Sequence, residues 1–167
     1  GVIVKNEADN QVHDRRLVRL LSRHGLRATF NLNSGKLGTD PGPSWYPFVH
    51  PREVAELYRD HEVAAHTVSH PRLPELPDGA IRAEVTEDRR ELERLVGYPV
   101  TGMALPFGAY DARVLEIASA CGISYCRPVD YEEHFRPPGD LMRWAATAHH
   151  NAPLLELWDR FLQSTRS

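Results

Sequence analysis

Residues 61–70 read HEVAAHTVSH, and this short stretch contains both a defining element of the fold and a candidate site. Its first six residues predict a β-strand, which lies between two helical segments, HPREVAELYRD before it and PDGAIRAEVTEDRRELERLVG after it. Strands that alternate with helices in this way are typical of parallel α/β proteins. We therefore expect HTVSH to lie where a strand of a parallel sheet ends.

The same alternation runs through the rest of the chain. Strands are predicted in VIV, RATFNLN, VTGMALP, ISYCRPV and MRWAATA, and helices in VHDRRLVRLLSRHGL, YDARVLEIASACG and APLLELWDRFLQS. In the first of these helices Leu17, Leu20 and Leu21 fall on one side at helical spacing, and Gly25 ends it. An open sheet and a barrel both fit this pattern, and in both the functional residues gather at the carboxyl ends of the strands.

Composition limits the classes of function. The chain has 167 residues, 41% of them hydrophobic and 26% charged, which predicts one globular domain over residues 1–167. No apolar run approaches the length of a membrane span, so we expect no membrane partner. The formal charge of -3 argues against nucleic acid as a partner.

No leader precedes Gly1, which favours a cytoplasmic location, with a removed leader as the alternative. Cys121 and Cys126 are expected to be reduced, with a local disulfide as the alternative.

The pair His66 and His70 is the sharpest local signal. Two histidines four residues apart at a strand end can direct both imidazoles at one ion, and a carboxylate from elsewhere would complete a three-ligand site that leaves positions open for water. The alternative is that both are surface or capping residues. The zincin motif HExxH does not apply, because HEVAAH has one residue too many between its histidines.

Several segments together resemble one bacterial branch of the NodB-homology polysaccharide deacetylases, carbohydrate esterase family 4. They are HDRRLVRLLSRHGLRATFNLNSGKLG, HEVAAHTVSHPRL, EDRRELERLVGYPVTGMALPFGAYD, CGISYCRPV and RWAATAHHN. The resemblance implies a distorted (β/α) barrel that binds a divalent metal, zinc first, with cobalt, nickel or manganese as alternatives. By this likeness Asp9, His66 and His70 are the metal ligands.

The first motif of that family departs from its pattern here. Family members carry an Asp-Asp pair whose first aspartate is the general base, and aligning Asp14 and its helix with the family leaves Ala8 at that position. Glu7 is a candidate substitute. Alternation along a strand would send Glu7 and Ala8 to opposite faces, so Glu7 can serve only if the strand end is bulged or bent.

The third motif also departs from the family. Its arginine is replaced by Ala104, while Pro106 and Phe107 remain, with Gly108, as an implied wall of the substrate pocket. Asn33 is a candidate to donate hydrogen bonds to a sugar, although Asn-Ser-Gly is also ordinary turn chemistry.

The segment WAATAHH resembles the last two motifs of the family. Trp144 would line the acyl pocket, with a core role as the alternative. His149 would protonate the leaving amine, and His150 is its alternative because only one of two adjacent strand residues can face the site. Asp130 or Asp140 would tune that imidazole.

Two functions follow from these patterns. The first is a metal-dependent hydrolase that removes an N-acyl group, most often N-acetyl, from an amino sugar or a related small molecule. The second is a member of the same fold that binds metal and carbohydrate without this hydrolysis, either as a binding protein or as an isomerase or lyase. Ala8 decides between them, because the first function requires a base that this chain lacks at the family's position.

Overall fold

The structure is a computed structural model, and it describes residues 2–4, 11–40, 47–130, 132, 135–136, 138–148 and 152–164. The strands are β1 (Val2–Val4), β2 (Ala28–Leu32), β3 (Glu62–Ala65), β4 (Gly102–Ala104) and β5 (Tyr125–Arg127). The helices are α1 (Gln11–Arg23), α2 (Pro51–Leu57), α3 (Asp78–Val96), α4 (Ala112–Ala120) and α5 (Leu154–Ser164). Short 3-10 turns cover Ser34–Lys36, Leu73–Glu75, Pro106–Gly108 and Leu141–Arg143.

The five strands form one parallel sheet in chain order, β1-β2-β3-β4-β5. A helix follows each of the first four strands. Each helix carries the chain back to the end of the sheet at which the strands begin. All carboxyl ends of the strands therefore meet at one edge of the sheet. This confirms the α/β class and the expected position of HTVSH directly after a strand.

The strand predicted in MRWAATA is wrong. The Asp140 carboxylate accepts a hydrogen bond from the backbone N–H of Met142 at 2.9 Å, and this cap turns Leu141–Arg143 into a 3-10 helix. Among the described residues of that segment, β-type pairing is limited to Ala146, which forms an isolated β-bridge. The segment still lies beside β5, because the backbone N–H of Trp144 donates to the carbonyl of Cys126 at 3.0 Å.

The hydrophobic core fills the space between the sheet and its helices. Its largest fully buried members are Tyr58, Phe30, Leu73, Ile81, Leu92, Met103 and Leu105. In α1 the predicted apolar side is only partly correct, because Leu21 is buried while Leu20 is 53% exposed. Asp14 on the same helix is buried and accepts a hydrogen bond from the Tyr58 hydroxyl, so α1 is attached to the core by a polar contact as well.

Both cysteines are free thiols, which confirms the expectation of reduced cysteines. Cys126 is fully buried in β5, and burial raises the pKa of its thiol to about 12. A thiol with so high a pKa carries almost no thiolate at neutral pH and is therefore unreactive in the native state.

No helix in the described part of the chain is long and apolar enough to cross a membrane. The longest, α3, has 19 residues and carries charged side chains along most of its length. The cytoplasmic location and the single-domain organisation over residues 1–167 stay predictions.

Gly102 provides a test of how the sheet is packed. It pairs with Tyr125, and a Cβ at Gly102 would overlap the Tyr125 ring, whose hydroxyl reaches across β4 to donate to Glu62 at 2.8 Å. Gly102→Ala is therefore expected to lower the free energy of unfolding by about 1–3 kcal/mol, measured by urea denaturation. Gly79→Ala is the control, because a Cβ there meets nothing within 4 Å. Equal stability of the two variants would contradict this packing.

Candidate active site

His66 and His70 lie together at the carboxyl end of β3. His66 is the first residue after the strand and is fully buried, whereas His70 is half-buried. The two ring centroids are 4.6 Å apart, with the ring planes at 73°. The structure thus brings together the two histidines that the spacing singled out.

A hydrogen bond sets the tautomer of His66. Its Nδ1 lies 2.7 Å from the backbone carbonyl oxygen of Ala104, at the end of β4. A carbonyl can only accept, so Nδ1 carries the hydrogen and donates it. In the neutral ring this leaves Nε2 as the atom with a lone pair, which is the arrangement that metal-binding histidines use.

The turn between the two histidines has an uncommon backbone. Thr67 has φ 69° and His70 has φ 66°, both in the left-handed region that non-glycine residues seldom occupy. The backbone N–H of His70 donates to the Thr67 hydroxyl at 3.1 Å. Conformations of this kind cost on the order of 1–3 kcal/mol each and persist where surrounding contacts hold them.

Asp88 on α3 supplies one of those contacts. Its side chain is fully buried, and its two oxygens accept the backbone N–H groups of Ser34 at 2.7 Å and His66 at 2.9 Å. Burial raises the pKa of Asp88 to about 6, and the two hydrogen bonds oppose that rise. Asp88 therefore joins the turn after β2 to the first histidine.

Sequence reasoning missed Asp88, because it lies in the strongly charged run EDRRELER, where carboxylates are expected at the surface. The missed signal was its helical position. Asp88 falls on the same stripe of α3 as the buried residues Ile81, Val85 and Leu92, at spacings of three and four residues.

Asn33 and Glu84 hold the same turn from two further directions. The Asn33 side-chain nitrogen donates to the carbonyls of His66 at 2.5 Å and Thr67 at 2.9 Å. Glu84 accepts from the backbone N–H of Ser69 at 2.9 Å and from its hydroxyl at 2.7 Å. The described contacts of Asn33 are thus structural, and its role in binding a sugar stays a prediction.

Phe107 forms one wall beside the histidines. It lies in the Pro106–Gly108 turn with φ 56°, and its ring is half exposed. The ring centroid is 4.6 Å from that of His70, and the guanidinium carbon of Arg72 lies 5.6 Å from the same centroid. Pro106 is buried behind it.

The strand register places a row of side chains on the face that carries His66. Ala65 pairs with Met103, so the next residues along, His66 and Ala104, are neighbours. Ala104 in turn pairs with Arg127 on β5. Paired residues of parallel strands point to the same face, so His66, Ala104 and Arg127 share one row at the carboxyl ends of three strands.

Trp144 lies beside the last member of that row. It is half-buried, its ring centroid is 5.9 Å from that of Tyr125, and the guanidinium carbon of Arg127 lies 5.7 Å from its ring. Of the two aspartates considered as partners of the general acid, Asp140 forms an ion pair with Arg143 at 2.9 Å. Asp130 is exposed, and its backbone carbonyl accepts from the N–H of Ala146.

The geometry also bears on the rejected zincin motif. His61 precedes β3 and His66 follows it, so the two histidines of HEVAAH lie at opposite ends of a strand, roughly 16 Å apart. His61 Nδ1 accepts from the backbone N–H of Ala28, and the residue is a buried part of the sheet's other end. These two side chains cannot share one ion.

The remaining predicted site residues, Glu7, Asp9, His149 and His150, lie outside the described residues, as does Ala8. Within the described ranges no group of three or more metal-ligating side chains occurs. The donor chemistry of His66 and His70 fits a divalent ion, since two imidazoles lie together and the tautomer of one is set. The third ligand, Asp9, stays a prediction.

Solved structures with the same fold include a polysaccharide deacetylase and a pseudoenzyme of carbohydrate esterase family 4. A polysaccharide deacetylase from Bacillus cereus superposes with a TM-score of 0.74 at 18% identity, covering 95% of this chain and 49% of that chain. IcaB from Ammonifex degensii gives a TM-score of 0.74 at 15% identity, covering 99% and 73%. A pseudoenzyme of carbohydrate esterase family 4 from Bacillus anthracis gives 0.60 at 19% identity, covering 75% and 41%.

This chain spans about half the length of the Bacillus cereus protein. A comparison with curated protein sequences found no match. The polysaccharide deacetylase family model, by contrast, matches residues 7–126, which is most of the chain and includes the β3 histidines and the Pro106–Gly108 turn. The chain therefore belongs to the polysaccharide deacetylase family.

Proposed function

We propose that this protein is a metal-dependent hydrolase that removes an N-acetyl group from an amino sugar or an oligosaccharide that contains one. The observation that carries the proposal is the hydrogen bond from His66 Nδ1 to the Ala104 carbonyl, 2.7 Å long, which leaves Nε2 as the ligand atom beside His70. Family membership supports the deacetylase chemistry.

His66, His70 and Asp9 would hold the metal. Two imidazoles and one carboxylate favour zinc, with cobalt, nickel or manganese as alternatives. When bound, such an ion supplies Lewis-acid chemistry, because it lowers the pKa of water and polarises an amide carbonyl. The ring of His70 contacts the rings of both Phe107 and His66, each with its centroid 4.6 Å away.

The other residues bind the substrate and move protons. Pro106, Phe107 and Trp144 form apolar walls that exclude water from the acyl group. His149, or His150 in its place, gives a proton to the departing amine nitrogen, because an amide nitrogen leaves as a neutral amine. Glu7 is the candidate base in place of the aspartate that Ala8 replaces.

Metal binding by the histidine pair is tested by His66→Ala and His70→Ala. Either change should lower the affinity for Zn²⁺, measured by isothermal titration calorimetry, by at least about 10–100-fold. Loss of a residue that only supports a metal ligand already has an effect of this size, and loss of the ligand itself should have at least the same effect. Acetate release should fall with it. His24→Ala is the control, because His24 is an exposed histidine remote from this turn.

Unchanged Zn²⁺ affinity in both histidine variants would refute the metal site and the proposed hydrolysis together. If the two histidine variants lose Zn²⁺ binding but the wild-type protein releases no acetate, the metal site stands and the proposed hydrolysis is refuted.

A second candidate is a protein that binds metal and carbohydrate but does not hydrolyse the amide. The observation that favours it is the departure at Ala8, where the resemblance implies a base; the orienting arginine, absent at Ala104, is also missing from some relatives. The Bacillus anthracis neighbour is described as a pseudoenzyme, and a mutant of it as having restored enzymatic activity. This fold therefore supports silent members that a substitution can reactivate.

A further inference from the structure

Helix α1 presents a stripe of arginines on its outer side. Arg16, Arg19 and Arg23 recur at spacings of three and four residues, so they lie on one side of the helix, and all three are exposed. Leu21, on the opposite side, is buried in the core. We call these three residues the arginine stripe. The function proposed above gives the arginine stripe no role.

The charge of the arginine stripe has no counter-charge beside it. Within the described residues none of its three guanidinium groups forms an ion pair or a hydrogen bond, whereas the adjacent Arg15 pairs with Glu53 at 2.6 Å. The one carboxylate of α1, Asp14, is buried and accepts from the Tyr58 hydroxyl. Arg27 adds a fourth exposed guanidinium just after the helix. The chain's formal charge of -3 therefore does not reveal that this face is strongly basic.

Two exposed leucines accompany the arginine stripe. Leu20 lies between Arg19 and Arg23 on the same side of α1 and is 53% exposed, and Leu26, in the turn after the helix, is 47% exposed. Arginines at the surface gain from phosphate groups, whereas a leucine gains free energy where it leaves water for an apolar medium. The surface of an anionic lipid bilayer offers both, because its phosphates lie directly above the acyl chains.

Nucleic acid also presents phosphates, but it fits this face less well. Side chains that accompany arginines at nucleic-acid sites are typically aromatic or polar, since they stack on bases or form hydrogen bonds to base edges. Residues 11–27 contain no Phe, Tyr or Trp. The apolar side chains among these arginines are aliphatic, and a nucleic-acid backbone offers them no apolar layer.

We propose that the arginine stripe, together with Leu20, Leu26 and Arg27, docks the protein on an anionic membrane surface. The guanidinium groups bind lipid phosphates through paired hydrogen bonds, and the two leucines enter the interface. Because the opposite side of α1 is packed in the core, the helix lies on the bilayer and does not span it. The inference departs from the expectation of no membrane partner, which depended on the lack of a spanning segment, and it is independent of the proposed hydrolysis.

The test is co-sedimentation of the protein with vesicles of equal parts phosphatidylglycerol and phosphatidylcholine, with pure phosphatidylcholine vesicles as the reference. The wild-type protein should prefer the mixed vesicles. One arginine near an anionic bilayer contributes roughly fivefold in affinity, so the combined change Arg16→Gln, Arg19→Gln and Arg23→Gln should weaken binding to the mixed vesicles by about 100-fold.

The matched control is a triple variant of α3, Arg82→Gln, Arg90→Gln and Arg94→Gln. These three arginines are exposed too, and their replacement changes the net charge by the same amount on a different helix, so it should leave vesicle binding nearly unchanged. The paired change Leu20→Ser and Leu26→Ser should weaken binding to the mixed vesicles at least about fivefold, because it removes apolar surface and no charge.

Equal affinity of the wild-type protein for both kinds of vesicle would overturn the inference, and so would equal binding by the two triple variants. Unchanged binding after the paired leucine change would overturn it as well. Binding to double-stranded DNA that is as tight as binding to the vesicles, at equal phosphate concentration, would assign the arginine stripe to nucleic acid instead.

If the α1 variant does not fold, the salt dependence of the wild-type protein decides. Raising the ionic strength from ~0.1 M to ~1 M shortens the Debye length from about 10 Å to about 3 Å, so the protein should leave the mixed vesicles. Protein that stays bound at the higher ionic strength would overturn the inference.

Discussion

Replacing Ala8 by aspartate is expected to raise the rate of acetate release from N-acetylated amino sugars by about 10²–10⁴-fold, the contribution typical of a general base. The aspartate would take the proton from the attacking water. Ala8, which occupies this position in the present chain, has no group that can accept a proton. The measurement is kcat/KM for acetate release by the zinc-loaded protein.

Ala8→Asn is the matched control, because asparagine has the shape of aspartate but cannot act as a base. An equal gain in both variants would show that the effect comes from packing or hydrogen bonding. No gain in Ala8→Asp, combined with loss of an existing activity in Glu7→Gln, would instead assign the base to Glu7. Activity that appears only in Ala8→Asp would identify the natural chain as a silent member of the family.

The second large effect is expected from Asp88→Ala. This change leaves the backbone N–H groups of half-buried Ser34 and buried His66 without their acceptor, and a buried group left unsatisfied costs about 1–3 kcal/mol. We expect the free energy of unfolding to fall by roughly 2–5 kcal/mol in urea denaturation. Because the turn that carries His66 and His70 loses one of its two attachments to α3 and keeps only that of Glu84, Zn²⁺ affinity should also fall, by about 10–100-fold.

Glu87→Ala is the control for Asp88→Ala, since Glu87 is the preceding residue on α3 and is exposed. Asp88→Asn adds a finer test, because it keeps one acceptor oxygen and should lose only part of the stability. If Asp88→Ala destabilises the protein but binds Zn²⁺ with wild-type affinity, Asp88 supports the fold and does not position the histidines.

Local patterns predicted most of the secondary structure. Alternation of strands and helices depends on neighbouring residues, and the strands and helices appear close to where the hydrophobic periodicity placed them. The prediction failed in MRWAATA, where the carboxylate of Asp140 caps a turn and outweighs the β-propensity of the segment. The predicted burial of Leu20 also failed, because Leu20 is exposed while its neighbour Leu21 is buried. Helical spacing alone does not tell which side of an apolar stripe will pack against the sheet.

The sequence by itself determined the parallel α/β class and the pairing of His66 with His70, because both depend on spacings of a few residues. Only the tertiary structure decided what makes that pair a ligand set. The Ala104 carbonyl that sets the His66 tautomer is 38 residues away, and the Asp88 carboxylate that holds its backbone is 22 away. Only the register of β4 and β5 places Arg127 in the same row. Hydrogen-bond partners and strand register are contacts between distant segments, and no local pattern in the chain encodes which atoms will meet.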